Sequence, residues 1–247
     1  LTGIYGGIAA MVVLPLTTNE MTLIAIFLLI SHNLIQEGII QSQSGLKPFK
    51  ATLFRLAASI VTVMIVAIFL GPEPAQVVAK GTPVAVQTAF IALIKNWLIA
   101  TLYLSLKIFM IIMVIMILLE MMKIFNMIPH IVKVLTPLLK TMGLDQRAGI
   151  LWLTAIVFGL AYGGAVIVEE AKEGYITKEE LEKLHLSIGI NHSMVEDPAL
   201  FLSLGLSAFW LWVPRLIVAI IAVRLFDLYY KIRSMYRPSH TVSVQKK

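Results

Sequence analysis

The chain has 247 residues, of which 59% are hydrophobic and only 14% are charged, and its mean hydropathy is +0.89. A soluble domain of this length cannot bury so much apolar surface, so the composition excludes a soluble protein and predicts an all-α polytopic membrane protein. The absence of cysteine excludes disulfides, thiolate metal sites and cysteine nucleophiles. The net charge of +6 comes mostly from the loops and the tail, a pattern typical of cytoplasmic membrane flanks and not of a nucleic-acid-binding surface.

Residues 1–71 are predicted to form the first of two repeats, and the element Tyr5-Gly6-Gly7 lies at its start. The later copy of this element follows an apolar helix, so we expect an apolar helix before residue 1 as well. Thr17 and Glu20 have the spacing of a capping box, which predicts the start of a helix that carries a polar segment in its second half.

That polar segment, residues 31–37, is followed by Gly38, which we expect to interrupt the helix. A helix broken at membrane depth exposes unpaired backbone groups, which is tolerated only where they face protein or a wet cavity. The sequence therefore predicts a discontinuous or re-entrant helix. After a basic cytoplasmic turn, residues 56–70 are expected to cross the membrane outward.

Residues 72–147 are predicted to connect the two repeats. An external loop leads into residues 84–122, which we interpret as an interfacial segment followed by a span that returns to the cytoplasm. In residues 129–142 the apolar side chains share one helical face, with Lys133 and Lys140 opposite. This pattern predicts an amphipathic helix on the cytoplasmic interface.

Residues 148–230 are predicted to form the second repeat, and residues 231–247 a basic cytoplasmic tail. At an offset of 160 positions the first repeat falls on the second: Ser31-His32-Asn33-Leu34-Ile35-Gln36-Glu37 on Asn191-His192-Ser193-Met194-Val195-Glu196-Asp197, Thr17 and Glu20 on Thr177 and Glu180, and Arg55 on Arg215. Pro198 replaces Gly38 as the expected helix breaker. The last spans of the two repeats are expected to run in opposite directions, which predicts inverted repeats, the arrangement that permits alternating access.

The two polar segments are the leading candidates for a solute or ion site near the bilayer midplane. His32 and Gln36 are four residues apart, as are His192 and Glu196, so each pair is expected to project from one helix face. The candidate substrate-binding residues here are His32, Asn33, Gln36, Glu37, His192, Ser193, Glu196 and Asp197, and the candidate metal ligands are His32, His192 and Glu196. The alternative is that these residues only bridge helices and satisfy the broken backbone.

Two glycine pairs and two adjacent carboxylates are further candidates. Tyr5-Gly6-Gly7 and Tyr162-Gly163-Gly164 would let backbone approach a ligand closely, although helix packing through small residues explains them equally well. Glu169 and Glu170 would attract a cation or relay protons, or else lie in a solvated loop.

Two arginines and three histidines outside the polar segments are charged or titratable residues with other expected positions. Arg215 is expected to pair with an acidic segment or an anionic solute, whereas snorkelling to the interface explains Arg55 more simply. His130, His185 and His240 have no partner in the other repeat, so we interpret them as interfacial or tail residues.

The chain contains no nucleophile elbow, no zinc-protease helix motif and no P-loop, so we expect neither an enzyme nor a cofactor. Through Gly159-Leu160-Ala161-Tyr162-Gly163-Gly164-Ala165, the segment 192–197 and their first-half counterparts, it resembles the nucleoside-recognition or gate-domain membrane proteins. That group includes the spore-maturation membrane proteins and the gate modules of the ferrous iron transport permease. The resemblance implies a prokaryotic polytopic protein with two gate-like halves, but the missing cysteines and GTP-binding domain argue against iron uptake.

The leading hypothesis is a membrane transporter or permease for a small polar solute or cation, with a site formed by both polar segments. The rival is a non-transporting membrane scaffold or signalling partner in which the repeated residues are structural, and an intramembrane enzyme is a distant third. We expect a multi-pass protein of the prokaryotic cytoplasmic (inner) membrane with a cytoplasmic C-terminus. Its expected partners are the lipid bilayer and a small solute or ion, a homo-oligomer or a partner membrane subunit is left open, and no nucleic acid is expected.

Overall fold

A computed structural model describes residues 3–45, 47–71, 90–174 and 176–235, without the side chains of residues 160–162 and 234. These ranges are helical and contain no strand, so the predicted all-α fold is confirmed. In chain order the helices are α1 (Ile4–Val13), α2 (Thr18–Ser31), α3 (Leu34–Gln43), α4 (Pro48–Leu70), α5 (Phe90–Ile124), α6 (Ile128–Met142), α7 (Gln146–Lys172), α8 (Lys178–Asn191), α9 (Glu196–Leu202) and α10 (Ala208–Met235). His240 and most of the predicted tail lie outside the described residues.

Several helices are long and apolar enough to cross a bilayer. They are Thr18–Gln43, which combines α2 and α3, and Pro48–Leu70, Phe90–Ile124 and Ala208–Arg233. Their outer faces carry large apolar side chains that are exposed in the isolated protein, such as Ile68 and Phe69 on α4. Surfaces of this extent are stable when lipid covers them, so the protein is integral to a membrane.

Both helices that carry the polar segments begin at the predicted capping boxes. The Thr17 hydroxyl accepts a hydrogen bond from the backbone N–H of Glu20 at 3.2 Å, and the Thr17 backbone N–H donates to the Glu20 carboxylate at 2.8 Å. Thr177 and Glu180 repeat these contacts at the start of α8. The hydrogen bonds from Thr177 lower the pKa of the Glu180 carboxyl, which lies outside the spans.

Both polar segments contain a helix break, but not where the sequence predicted it. The backbone leaves the helix at His32 and His192, and the next residues, Asn33 and Ser193, both have a left-handed conformation with φ of 50°. Gly38 lies inside α3 and Pro198 in the first turn of α9, where proline is tolerated because that N–H has no helical partner. Discontinuous helices are therefore confirmed, while the predicted breakers are wrong.

Helix α7 is a hairpin of two helical arms. At Gly159 the backbone has φ of 77° and ψ of 167°, a conformation that favours glycine, and it separates Gln146–Gly159 from residues 160–172. The arms fold back on each other, because Arg147 near the start of the first arm forms an ion pair of 2.8 Å with Glu170 near the end of the second. The re-entrant elements were predicted at the two polar segments, so this hairpin in α7 was not predicted.

Helix α5 is one unbroken helix of 35 residues, about 52 Å long. The predicted division of residues 84–122 into an interfacial segment and a span is therefore wrong for the part from residue 90 on, and residues 84–89 lie outside the described ranges. The ammonium group of Lys107 donates to the Ser203 carbonyl at 2.5 Å, and the apolar contacts with the rest of the protein begin at Ile108. The second half of α5 thus packs against the other helices.

The predicted amphipathic helix is present as α6 (Ile128–Met142). Val132, Leu139 and Met142 are buried in the same apolar cluster as Trp152 of α7, while Lys133 on the opposite face is exposed. Its apolar face is therefore covered by protein, and its position at the cytoplasmic interface stays a prediction.

The two broken helices run past each other in opposite directions. Ser44, which follows α3, shares a hydrogen bond of 2.8 Å with His185, which precedes the second break. Ala25, which precedes the first break, belongs to the same apolar cluster as Leu200 and Phe201, which follow the second. His185 is 4% exposed, so it is covered by protein, and its position relative to the membrane interface stays a prediction.

Candidate functional site

The candidate site lies where the two helix breaks meet. The rings of His32 and His192 are 4.8 Å apart between centroids, with their planes inclined by 41°. Both side chains are buried, and each backbone N–H still caps the helix before it. Because the chain breaks after each histidine, the predicted pairing with Gln36 and Glu196 on a common helix face is wrong.

Each histidine instead faces the carboxylate of the other repeat. The Nε2 atom of His32 lies 3.3 Å from Oδ2 of Asp197, and Nε2 of His192 lies 3.2 Å from Oε1 of Glu37. Glu37 and Asp197 occupy equivalent positions at the offset of 160. A reciprocal exchange of this kind is the mark of a two-fold relationship, here between two halves of one chain.

Arg55 closes the first break. Its Nε and Nη2 atoms donate to the carbonyls of Ile30, His32 and Gly189 at 2.8–3.1 Å, and its Nη1 atom forms an ion pair with Glu37. The last carbonyls of a helix have no N–H partner within it, and a cation there complements the helix dipole. Because Arg55 is only 1% exposed, the interpretation that it snorkels to the interface is wrong.

Arg215 repeats the same contacts at the second break. It donates to the carbonyls of Ile190, His192 and Leu29 at 2.9–3.2 Å, and it is completely buried. At the offset of 160, Leu29 is the equivalent of Gly189. Each arginine therefore holds two carbonyls of its own repeat and one of the other, and we call these contacts the two arginine clasps.

The centre of the site holds polar atoms with no hydrogen-bond partner within the described part of the chain. They include Oδ2 of Asp197, both amide atoms of Asn191 and Nη1 of Arg215. Buried polar groups in proteins are nearly always satisfied, because an unpaired one costs about 1–3 kcal/mol. The cluster therefore has free capacity to bind a polar ligand or ion.

A cavity of about 330 Å³ reaches this cluster from the protein surface. Its walls include the predicted residues Tyr5, His32, Asn33, Gln36, Glu37, His192, Ser193, Glu196 and Asp197, together with Gly3, Ile4, Ile40, Phe158 and Gly159. The Tyr5 hydroxyl donates to the Glu196 carboxylate at 3.2 Å and so joins the two repeats at the exposed side of the cavity. Its volume lies at the small end of the range for ligand pockets, about 300–1,000 Å³, which suits a small solute.

The four glycines of the Tyr-Gly-Gly elements do not line the cavity. A side chain at Gly163 would overlap the backbone of Ala155, and one at Gly7 would overlap the side chain of Leu28, so both glycines serve close packing. Gly6 and Gly164 do not line the cavity either, and the side chain of Tyr162 lies outside the described residues.

The charged candidates outside the two polar segments also lie off the cavity. Glu170 pairs with Arg147, Glu169 is exposed, and Arg215 is occupied by the backbone carbonyls of its clasp. A direct role of these three residues in binding stays a prediction.

Three groups of residues were missed by the sequence reasoning. Arg55 was interpreted as a snorkelling residue, although its offset of 160 from Arg215 indicated an equivalent role in the first repeat. The hairpin tip at Phe158 and Gly159 was not recognised as part of the site, and its glycine offered the only local signal. Asn191 belongs to the second polar segment and is fully buried, but its counterpart Ser31 gave no hint of its importance.

Among the described residues, His32, His192 and Asp197 form a group that could hold a metal ion, with one ligand atom from each and all three atoms within 4.8 Å of one another. Two of the three predicted metal candidates are thus together. Glu196 is not in this group, because its carboxylate is directed toward Tyr5 at the cavity wall.

The chain is similar to the "Uncharacterized membrane protein YvoD" of Bacillus subtilis (strain 168), with 22% identity over 220 residues that cover 88% of this chain and 70% of that protein. No family model matches the chain, and no solved structure matches it. The similarity agrees with the assignment as a membrane protein. The nucleoside-recognition or gate-domain family stays a prediction from the motifs.

Proposed function

We propose that this protein is a membrane transporter or permease for a small polar solute or cation, acting without an enzymatic step. The observation that carries the proposal is the buried cluster of histidines and carboxylates from both repeats, with unsatisfied polar atoms, at the end of a surface cavity. Ionisable residues are costly within a membrane, and they usually mark solute or ion pathways there. The two helix breaks lie at this cluster, and they provide the irregular backbone that transporters use at their binding sites.

The proposal includes inverted repeats. The broken helix α2–α3 would begin on one face of the membrane, and the broken helix α8–α9 would begin on the other. The support is the opposite course of α2–α3 and α8–α9, given by the contact of Ser44 with His185 and by the cluster that joins Ala25 to Leu200. Two halves that oppose each other around a fixed central site can expose it to one face and then to the other.

The same arrangement suggests the orientation. Lys47, Lys140 and Lys231 lie after α3, at the end of α6 and at the end of α10, and these ends fall on one face in the inverted topology. Positive residues favour the cytoplasmic side, so we place this face and the C-terminus in the cytoplasm of a prokaryotic cell.

The scaffold hypothesis also has support from a specific observation. The arginine clasps show that part of the buried polar network holds the two broken helices together, as a purely structural network would do. Partner proteins would then bind through α6 or the basic tail. The two hypotheses differ in the role of the residues on the cavity side of the cluster. Glu196 and Asp197 take no part in the clasps, so a purely structural role of the clasps does not explain these two carboxylates.

The test is solute flux in proteoliposomes made from the purified protein, with panels of divalent cations, nucleosides and small organic cations. We expect uptake of one of these classes above that of empty liposomes. We expect Glu196→Gln and His192→Ala to reduce this uptake at least tenfold, because both residues line the cavity. Glu120→Gln is the matched control, since Glu120 lies on α5 with an exposed side chain paired to Lys123.

Retention of normal flux by both cavity variants would contradict the assignment of the site. If His192→Ala lowers only the melting temperature, and the wild-type protein moves no solute of the panel, the scaffold hypothesis replaces the transport hypothesis. Monodispersity in size-exclusion chromatography shows that each variant is folded before its flux is compared.

A further inference from the structure

The protonation of His32 follows from its hydrogen bond. Its Nδ1 atom lies 2.9 Å from the Leu28 carbonyl oxygen, which can only accept a hydrogen bond. The Nδ1 atom therefore carries the proton. In the neutral ring, Nε2 then has a free lone pair.

This lone pair faces another acceptor. Nε2 of His32 lies 3.3 Å from Oδ2 of Asp197, and that oxygen has no hydrogen-bond partner within the described part of the chain. Two acceptors at this distance repel each other unless a proton or a metal cation lies between or beside them. Nε2 of His192 lies 3.2 Å from Oε1 of Glu37 without the geometry of a hydrogen bond, and the ligand atoms of His32, His192 and Asp197 form one group within 4.8 Å.

The two buried carboxylates differ in how their charge is balanced. Glu37 is paired with Arg55, so its negative charge is already compensated. Asp197 is 4% exposed, and among the described residues no lysine or arginine forms an ion pair with it. Asp197 is therefore the carboxylate that is available to a positively charged ligand.

We infer that His32, His192 and Asp197 bind a divalent transition-metal ion, and that such ions are the substrate class of the transporter; the second part rests on the proposed function. Two imidazole nitrogens and one carboxylate oxygen suit Zn²⁺, Co²⁺ and similar borderline ions. Mg²⁺ and Ca²⁺ prefer all-oxygen ligands, and the absence of cysteine removes the thiolates that select Cu⁺. Two ligands held at 2.0–2.1 Å by one zinc ion lie about 3.4 Å apart, close to the 3.3 Å between His32 and Asp197.

The cavity provides the route of entry. Glu196 lines it next to Asp197, and its carboxylate accepts only one hydrogen bond, from Tyr5, among the contacts of the described residues. A carboxylate on the wall of a narrow, partly apolar cavity raises the local concentration of cations. Glu196 would thus attract the ion without binding it in the final site.

The experiment is metal binding by the chelator-treated full chain in detergent. Isothermal titration with Zn²⁺ and Co²⁺, and the visible spectrum of bound Co²⁺, are compared with titrations of Mg²⁺ and Ca²⁺. We expect about one transition-metal ion per chain and no comparable binding of Mg²⁺ or Ca²⁺. We expect Asp197→Asn and His32→Gln each to weaken Zn²⁺ binding by at least about tenfold.

Glu120→Gln is the matched control, since it removes an exposed carboxylate of α5 that is paired with Lys123 and lies outside the ligand group and the cavity, and it should change Zn²⁺ affinity by less than about threefold. Two ligand variants keep the test decisive if one of them does not fold. The inference is overturned if the wild-type chain binds neither Zn²⁺ nor Co²⁺, if Mg²⁺ binds as tightly, if the cluster exchanges only protons, or if both ligand variants bind normally.

Flux measurements separate this inference from the proposed function. Zn²⁺ binding at His32, His192 and Asp197 without Zn²⁺ uptake into proteoliposomes would confirm the site and overturn transport of the metal. Uptake of another solute of the panel by a chain that binds no metal would support the proposed function and overturn the metal inference.

Discussion

At the scale of single residues, the two arginine clasps explain how a helix can break inside a membrane. A break leaves backbone carbonyls without partners, and in lipid no water replaces them. Arg55 and Arg215 satisfy these carbonyls with the forked guanidinium group, which presents several N–H donors in fixed directions. A lysine at either position would carry the same charge on a single nitrogen.

We therefore expect Arg55→Lys to destabilise the protein by about 2–4 kcal/mol, since charge-assisted hydrogen bonds to buried carbonyls are lost and the smaller head group leaves Glu37 poorly paired. Arg215→Lys should have a similar effect, because its contacts are equivalent. Thermal unfolding in detergent measures both. Arg147→Lys, at a partly exposed ion pair, is the control and should change the melting temperature little. Equal melting temperatures of the Arg55→Lys variant and the wild type would show that the clasps are not structural.

The sequence predicted the composition of the site better than its geometry. The repeat at an offset of 160 identified His32, Glu37, His192 and Asp197, and the structure brings all of them together. It did not predict the exchange of partners between repeats, because contacts between distant segments leave no periodic pattern. Arg55 was misread since its neighbours in sequence are lysines, whereas its neighbours in space are helix ends.

At the scale of elements, the hairpin α7 depends on close contact between its two arms. Gly163 lies against the backbone of Ala155, so that even a methyl group would overlap it. We expect Gly163→Ala to separate the arms and to cost about 1–3 kcal/mol, the usual range for an overpacked interior. The melting temperature in detergent is the measurement.

Gly6 provides the matched control for this prediction, because it is the equivalent glycine of the first repeat and a Cβ atom there meets nothing within 4 Å. Gly6→Ala should therefore leave the melting temperature unchanged or raise it slightly, as alanine favours helix. A similar loss of stability in both variants would mean that the cost arises from backbone preferences and not from contact with Ala155.

Element boundaries were predictable where local chemistry sets them and not elsewhere. The capping boxes at Thr17 and Thr177 fixed the starts of α2 and α8 correctly, because both partners lie within four residues. The breaks were misplaced at Gly38 and Pro198, since these residues are helix breakers only on average. Asn33 and Ser193 have the left-handed conformation at the two breaks, next to the histidine contacts and the arginine clasps, and such tertiary contacts cannot be predicted from composition.

At the scale of the whole molecule, the repeated contacts give the chain a two-fold character. The histidine–carboxylate contacts, the arginine clasps and the capping boxes all recur at one offset, and the first two are exchanged between the halves. Inversion of the repeats across the membrane is what would convert this symmetry into alternating access. The natural absence of cysteine makes the orientation directly testable, because every introduced cysteine is the only thiol.

We expect Lys47→Cys and Ser207→Cys to react with a membrane-impermeant maleimide from opposite sides of the membrane. The two positions are equivalent at the offset of 160, both are exposed, and they follow the broken helices α2–α3 and α8–α9, which run in opposite directions. In intact cells only Ser207→Cys should be labelled, and Lys47→Cys only after permeabilisation. Thr18→Cys is the control for the outer face, since α2 begins there and α9 ends there. Labelling of Lys47→Cys and Ser207→Cys from the same side would mean that the repeats are parallel. Parallel repeats could not expose the central site first to one face of the membrane and then to the other.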